Sequence, residues 1–231
     1  MVLCGAMVLC GAPPPVAGWD FSQLRNGRVA PLFGQLPAEI VNSANVKQVP
    51  GPADKALCFQ GAAKERETVG GAVVRALPFD FSAPFTLEAV YKLDPDAGYR
   101  DVKEVAGCCD GERGPGFRIT IYYDMIQLRT GDGKNVTALS TNASKIAAQT
   151  DDWQLLAVTC DGKQAAIYLN GVEVARQDFT VRPCVGKTLS IGSFRGGYAY
   201  ALQGALDELK LYDYAKKPLE VAETYLEMFG E

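Results

Sequence analysis

The stretch Asp151–Gln177, DDWQLLAVTCDGKQAAIYLNGVEVARQ, decides the fold of this chain. Its three apolar segments are separated by two turn dipeptides, Asp161-Gly162 and Asn170-Gly171. Such dipeptides favour type I′ turns, in which both central residues have positive φ, and they join the strands of hairpins. The stretch therefore predicts an antiparallel meander of three strands. The segment Leu155–Val158 is apolar on both faces, which is typical of a central strand covered on both sides.

Alternating apolar and polar residues extend this pattern over most of the chain. The segments Phe85–Leu93 and Phe117–Tyr123 alternate with a period of two, as half-buried strands do. Two more strands are predicted at TLSIGS (188–193) and ALDELKLY (205–212), and a short terminal helix is predicted to begin at Pro218. The sequence therefore predicts an all-β, antiparallel sandwich with one short C-terminal helix.

The composition excludes several classes of function. The 231 residues carry 23 basic and 27 acidic side chains, a net charge of −4, and no histidine. A mildly acidic protein has no general attraction to phosphate backbones or anionic lipids, which argues against nucleic-acid and membrane-surface binding. The lack of histidine removes every mechanism that needs imidazole as acid, base or metal ligand.

The N-terminal segment, residues 1–17, reads MVLCGA twice and carries no charge. Its apolar part ends at Pro13 and is too short for a membrane span, which needs about 20 residues. Its length fits the hydrophobic region of a secretory signal. We therefore expect a leader at 1–17, a single domain at 18–231 and an exported protein. The alternative is a disordered N-terminus, which would leave the protein in the cytoplasm.

Cysteine usage does not indicate a disulfide scaffold or a zinc site. A bridge between the neighbours Cys108 and Cys109 would be strained, because bridged Cα atoms lie at least about 4.4 Å apart. The chain has no CxxC pair, which argues against structural zinc. We expect the cysteines outside the leader to be mostly buried and unpaired. These are Cys58, Cys108, Cys109, Cys160 and Cys184.

Six fragments carry a resemblance that covers about residues 16–225. They are GWDF (18–21), KALCFQG (55–61), FTLEAVYKL (85–93), DDWQLLAVTCDGKQAAIYLNGVEV (151–174), LSIGS (189–193) and GALDELKLYDYAKKPLEVAETY (204–225). In this order they resemble the laminin-G-like domains of the concanavalin A-like lectin/glucanase superfamily. The resemblance implies a two-sheet jelly-roll β-sandwich, usually extracellular and not an enzyme. It also implies that the domain binds sugars or proteins and often holds one calcium ion.

Asp207 is the candidate calcium ligand. It shares strand parity with Leu209 and Leu211, so it should point towards the core, where a lone carboxylate is costly unless it is hydrogen-bonded or metal-bound. The resemblance implies a calcium ion held by Asp207, with Asp20 and the Gln60-Gly61 turn completing the shell. Hydrogen bonding of Asp207 to neighbouring backbone amides is the alternative.

The loop RGGYAY and one strand face supply the candidate ligand-binding residues. Glycines allow close approach of a ligand, and Tyr198 and Tyr200 could stack on sugar rings while Arg195 reaches hydroxyls or carboxylates. Arg118 and Tyr122 alternate away from the core face of their strand and could line a concave surface. The alternatives are tyrosines that pack back on the sheet and an ordinary exposed strand face.

Two binding functions and one enzymatic function are open at this point. We expect a non-catalytic, exported carbohydrate-binding module, and the alternative is a laminin-G-type adhesion domain that binds protein without a sugar pocket. A glycosidase or lyase is disfavoured. Retaining glycosidases need two carboxyl groups about 5 Å apart, whereas DELKLYD (207–213) puts Asp207 and Glu208 on opposite faces.

Overall fold

The computed structural model describes residues 12–61, 68–142, 147–184 and 186–230. Its strands are β1 Ala17–Trp19, β2 Leu24–Arg25, β3 Arg28–Val29, β4 Ala38–Val41, β5 Val46–Pro50, β6 Lys55–Phe59, β7 Gly71–Val74, β8 Phe85–Leu93, β9 Lys103–Cys109, β10 Gly116–Tyr122, β11 Met125–Gly131, β12 Val136–Ser140, β13 Gln154–Cys160, β14 Gln164–Leu169, β15 Val172–Asp178, β16 Leu189–Ile191 and β17 Gly204–Tyr212. A 3-10 turn covers Ser43–Asn45, and helix α1 covers Pro218–Phe229.

The strands form two antiparallel sheets that face each other, as predicted. The first sheet has the order β15-β14-β13-β8-β17-β6-β5, with β1 paired to β17. The second has the order β12-β11-β10-β9-β16-β7-β4-β3-β2. A continuous apolar core fills the space between them, and its largest side chains include Trp19, Phe21, Phe59, Phe85 and Phe117. The jelly-roll sandwich is confirmed.

The predicted meander is β13, β14 and β15, with β13 between β14 and β8. The Asn170-Gly171 turn has φ of 52° and 78° and therefore has positive φ at both residues, as predicted. The Asp161-Gly162 turn is different, because only Gly162 has positive φ. The Asp161 carboxylate accepts the N–H groups of Lys163 (2.8 Å) and Gln164 (2.7 Å), and these bonds stabilise a wider loop.

Strand β17 is bordered by two strands along the same edge. Its first half pairs with β6, with Leu206 opposite Leu57, and its second half pairs with β1, with Leu209 opposite Trp19. Its register to β8 shifts between Leu206 and Glu208. Asp207 therefore lies at a β-bulge where one neighbour ends and the other begins, a place where a side chain is re-aimed out of the regular alternation.

Helix α1 lies outside the first sheet. Val221 packs on Ala157, Ala166 and Tyr168, which are all buried. Glu220 accepts the backbone N–H of Lys217 at 2.7 Å and so satisfies one of the unpaired donors at the helix N-terminus. The short C-terminal helix is confirmed, and it covers the outer face of the central strands.

A disulfide joins Cys108 to Cys184, two of the five cysteines that were predicted to be mostly unpaired. Cys108 points into the core from β9, and the chain after β15 brings Cys184 to within bonding distance, a pairing that sequence spacing does not reveal. Cys109 points the other way and is not bonded to Cys108, as predicted. The described cysteines Cys58, Cys109 and Cys160 are unpaired. Cys4 and Cys10 lie outside the described residues.

Candidate binding site

Asp207 is buried beside the turn that follows β5. Its exposed fraction is 1%, and its Oδ2 accepts the N–H of Ala53 at 3.4 Å. Its Oδ1 has no hydrogen-bond partner among the described residues. A Cβ atom at Gly51 would lie only 2.0 Å from this Oδ1, so the glycine makes room for the carboxylate. Burial, together with the negative charges of Glu208 and Asp20, raises the pKa of Asp207 to about 6.

The predicted calcium shell is not assembled around this carboxylate. Leu206, next to Asp207, pairs with Leu57 of β6, whereas Phe59 pairs with Gly204. Gln60 follows Phe59 and therefore lies further from Asp207 along the sheet than Phe59 does. The backbone of Gln60 is bonded to Asn45 and Gly70 instead. The described part of the chain holds no group of three or more Cys, Asp or Glu residues that could bind a metal ion.

Asp20 is the one predicted partner whose charge acts on Asp207, and its Oδ1 accepts the N–H and the Oγ–H of Ser22. Gln60 and Gly61 do not reach Asp207, so the residues present do not fit the predicted calcium site. Calcium binding itself stays a prediction of the resemblance. Comparing the melting temperature in millimolar Ca²⁺ with that in chelator tests it, because a bound ion raises the melting temperature.

Arg118 is buried, so the prediction that it lines an open surface is wrong. Its guanidinium forms a buried ion pair with Glu104, with Nη2 to Oε2 at 2.7 Å and Nε to Oε2 at 3.0 Å. The same group lies 4.2 Å from the ring centroid of Phe194 and 5.2 Å from that of Tyr200. Arg118 points away from the core, as the strand parity predicts, but the loop after β16 covers this face of the second sheet with Phe194 and Tyr200.

The predicted ligand loop Arg195–Tyr200 covers the face of the second sheet that carries Arg118. Tyr198 and Tyr200 have ring centroids 6.3 Å and 5.7 Å from Phe194, and the Tyr200 hydroxyl donates to Glu112 at 2.7 Å. Arg195 is exposed and lies over the Tyr198 ring at 5.5 Å. The tyrosines pack against Phe194 and are partly buried, whereas Arg195 is exposed.

Tyr122 belongs to an aromatic cluster that the sequence analysis missed. Its ring centroid lies 4.2 Å from that of Tyr123, which in turn lies 5.4 Å from Tyr99. Tyr99 is 52% exposed, a large value for an aromatic side chain. We call these three residues the tyrosine cluster. It lies where the β10–β11 hairpin meets the segment between β8 and β9.

The hairpin turn that carries the cluster is strained. Tyr123 and Asp124 have φ of 50° and 56°, a conformation that costs energy in residues other than glycine. The Asp124 carboxylate accepts the N–H of Gln149 at 3.0 Å and so ties the turn to a neighbouring loop. Backbone strain of this kind persists only where the surroundings enforce it, and it recurs at binding sites.

Lys103 fixes the segment that presents Tyr99. Its ammonium group is buried and donates to Gly98 O (2.6 Å), Asp101 O (3.1 Å) and Gln149 Oε1 (2.7 Å). The amide of Gln149 donates in turn to Tyr99 O at 3.1 Å. Burial lowers the pKa of Lys103 to about 8, with Asp101 and Asp124 acting in the opposite direction. The hydrogen bonds of Lys103 and Gln149 therefore fix the loop that carries Tyr99.

A cavity of about 410 Å³ opens beside the tyrosine cluster. Its lining combines the exposed Tyr99 with two carboxylates, Asp94 and Asp151, and the segment Gln149–Thr150. This volume falls in the range of small-molecule sites, about 300–1,000 Å³. The remaining lining residues are Leu93, Pro95 and Ala97. We call this cavity, with Tyr99 at its edge, the tyrosine cleft.

Sequence reasoning missed the tyrosine cleft because its parts come from separate loops. Asp94 and Tyr99 follow β8, whereas Gln149 and Asp151 precede β13. The available signal was the doublet Tyr122-Tyr123 followed by Asp124 between two strands, which marks a turn built without glycine.

These features define a class of protein, a two-sheet jelly-roll domain with a cleft among its loops. The chain belongs to the concanavalin A-like lectin/glucanases superfamily, since a laminin G family model of that description matches residues 67–222, well over half of the chain. No curated protein sequence is significantly similar to it. Within the described residues, no helix is long and apolar enough to cross a bilayer.

Several solved structures share the fold. The binding domain of Paraclostridial Mosquitocidal Protein 1 has a TM-score of 0.69 at 14% identity, over 93% of this chain and 52% of that one. The binding domain of botulinum neurotoxin DC with rat synaptotagmin II gives 0.69 at 11% identity, over 93% and 52%. The same toxin domain with SialylT gives 0.68 at 10% identity, over 93% and 51%. The chain thus spans about half the length of these domains, and at such identities the likeness shows the fold alone.

Proposed function

We propose that this protein is an exported, non-catalytic module that binds carbohydrate at the tyrosine cleft. The observation that carries the proposal is the exposed Tyr99 ring at the edge of a 410 Å³ cavity that also presents carboxylates. Aromatic rings bind the apolar faces of sugars, and carboxylate oxygens accept hydrogen bonds from hydroxyl groups. Two solved neighbours are binding domains captured with a partner, one with SialylT and one with a protein.

The preorganisation of the cleft supports a binding role. Tyr99 is positioned through Gln149 and the buried Lys103, and Gln149 is itself fixed by the bond from its backbone N–H to the Asp124 carboxylate. A rigid site loses little conformational entropy when a ligand binds, which favours affinity.

Export is the second part of the proposal. The Cys108–Cys184 disulfide supports it, since disulfides form and persist in oxidising compartments. The uncharged segment at residues 1–17 is predicted to be a leader, which would direct the chain to such a compartment. Its last residue, Ala17, belongs to β1 and lies opposite Leu211, so the folded domain includes this residue.

Polysaccharide binding by the wild type and by Tyr99→Ala tests the proposal. We expect retardation of the wild type in gels that contain a soluble polysaccharide, and about tenfold weaker binding by Tyr99→Ala, because an aromatic contact is worth about 1 kcal/mol or more. Tyr225→Ala on helix α1 is the matched control, because it removes a half-exposed tyrosine outside the cleft. Equal binding by wild type and Tyr99→Ala would contradict the proposal that carbohydrate binds at the tyrosine cleft.

A protein-binding adhesion domain is the alternative function. The neurotoxin DC domain solved with synaptotagmin II is the observation that favours it. If no polysaccharide retards the wild type, while Tyr99→Ala abolishes capture of an extracellular protein, this alternative replaces the carbohydrate proposal.

A further inference from the structure

The charges of the tyrosine cleft are of one sign. Among the described residues, Asp94 and Asp151 line it and no Lys or Arg does. Lys103, the nearest buried cation, lies behind Gln149 and donates to three oxygens of the protein, so it is not presented to a ligand. The charged side chains that line the cleft are therefore all carboxylates.

The two carboxylates are free to act as acceptors. Asp151 is exposed, and the contacts of Asp94 are with the Cys58 thiol at 4.0 Å, which is a weak donor. A carboxylate has two oxygens and can accept hydrogen bonds from two adjacent hydroxyl groups of one sugar ring. The side-chain amide of Gln149, in contrast, already accepts a hydrogen bond from Lys103 and donates one to the Tyr99 carbonyl.

We infer that the tyrosine cleft selects neutral glycans and rejects glycans that carry carboxylate or sulfate groups. This inference rests on the proposed function and names its ligand class. Tyr99 holds the apolar face of a neutral pyranose ring, and Asp94 and Asp151 accept hydrogen bonds from its hydroxyls. A uronic acid or sulfated sugar in the same place brings a negative charge next to two others, and like charges in a partly desolvated site repel strongly.

The experiment uses chemically matched ligands. Binding is measured for a neutral glucan and for the same glucan oxidised at C6 to the carboxylate, and likewise for a neutral mannan and its oxidised form. We expect the oxidised forms to bind the wild type at least tenfold more weakly. The deficit should shrink as salt is raised from 20 to 300 mM, because salt screens repulsion between charges.

Charge-removing variants separate this repulsion from a general effect. In Asp94→Asn and Asp151→Asn the discrimination against the oxidised chains should fall several-fold. Asp213→Asn is the matched control, because it removes one exposed carboxylate at the end of β17 and should leave the discrimination unchanged.

The outcomes distinguish the inference from the proposed function. Binding of oxidised chains as tight as that of neutral ones, still dependent on Tyr99, would overturn neutral selection while the carbohydrate function stands. An equal change of the discrimination in Asp213→Asn and in Asp151→Asn would also overturn neutral selection and leave the carbohydrate function standing. Failure of every neutral and oxidised chain to bind would overturn both.

Discussion

The Oδ1 atom of Asp207 occupies the space that a side chain at Gly51 would fill, since a Cβ there would lie 2.0 Å from it. The bulge in β17 aims the carboxylate at this turn, and the missing side chain at position 51 admits it. One consequence is a buried acid with a raised pKa, and a second is a glycine that cannot be replaced freely. Both consequences can be measured.

We expect Asp207→Asn to change the pH dependence of stability. Because the folded pKa, about 6, lies above the ordinary value of 3.8, folding favours the protonated acid. The stability linked to that proton is fully present below pH 3.8 and is lost as pH rises through 6. The free energy of unfolding of the wild type, relative to the variant, should fall by about 1–2 kcal/mol between pH 4 and pH 7.5. Urea unfolding at four pH values measures this, and a constant difference would refute it.

We expect Gly51→Ala to destabilise the fold by about 1–3 kcal/mol, because the new methyl group displaces the Asp207 carboxylate and also meets Ala56 Cβ at 3.2 Å. Gly111→Ala is the control, since the nearest atom to a Cβ there lies 4.0 Å away. Combining Gly51→Ala with Asp207→Ala should recover part of the loss. Equal effects at positions 51 and 111 would show that the overlap is not the cause.

The ion pair beneath helix α1 gives the largest expected effect. Lys216 Nζ lies 2.7 Å from Glu88 Oε1, both side chains are at most 5% exposed, and Nζ also donates to Thr224. Lys216→Met leaves Glu88 buried without its cation, and we expect a loss of about 3–5 kcal/mol in the free energy of unfolding. The double variant Lys216→Met, Glu88→Gln should recover much of it. A loss in the double variant equal to the sum of the losses in Lys216→Met and Glu88→Gln would argue against direct coupling.

Thiol chemistry checks the disulfide. In denaturant without reductant, a thiol reagent should label Cys58, Cys109 and Cys160. Cys108 and Cys184 should be labelled only after reduction. Peptide mapping identifies which cysteines carry the label. Cys184→Ser should lower the free energy of unfolding by about 2–4 kcal/mol, because the bridge closes a long loop. Labelling of Cys108 before reduction would contradict the pairing.

The sequence alone determined the sandwich, because period-two alternation and glycine-containing turns are local signals. The meander β13–β15, the strand β8 and helix α1 follow from residues close together in the chain, where the preference of each segment and its apolar pattern agree. The same local parity correctly directed Arg118 away from the core. It could not show that a distant loop covers that face.

Only the tertiary structure decided which side chains meet. Cys184 reaches Cys108 across 76 residues, Gly51 admits Asp207, and Tyr99, Tyr123 and Gln149 come from three separate loops. Contacts of this kind depend on sheet order and loop paths, which are set by the summed burial of apolar surface over the whole domain and not by any local pattern. The fold of this protein is therefore readable from its sequence, whereas its candidate binding cleft exists only where the folded loops converge.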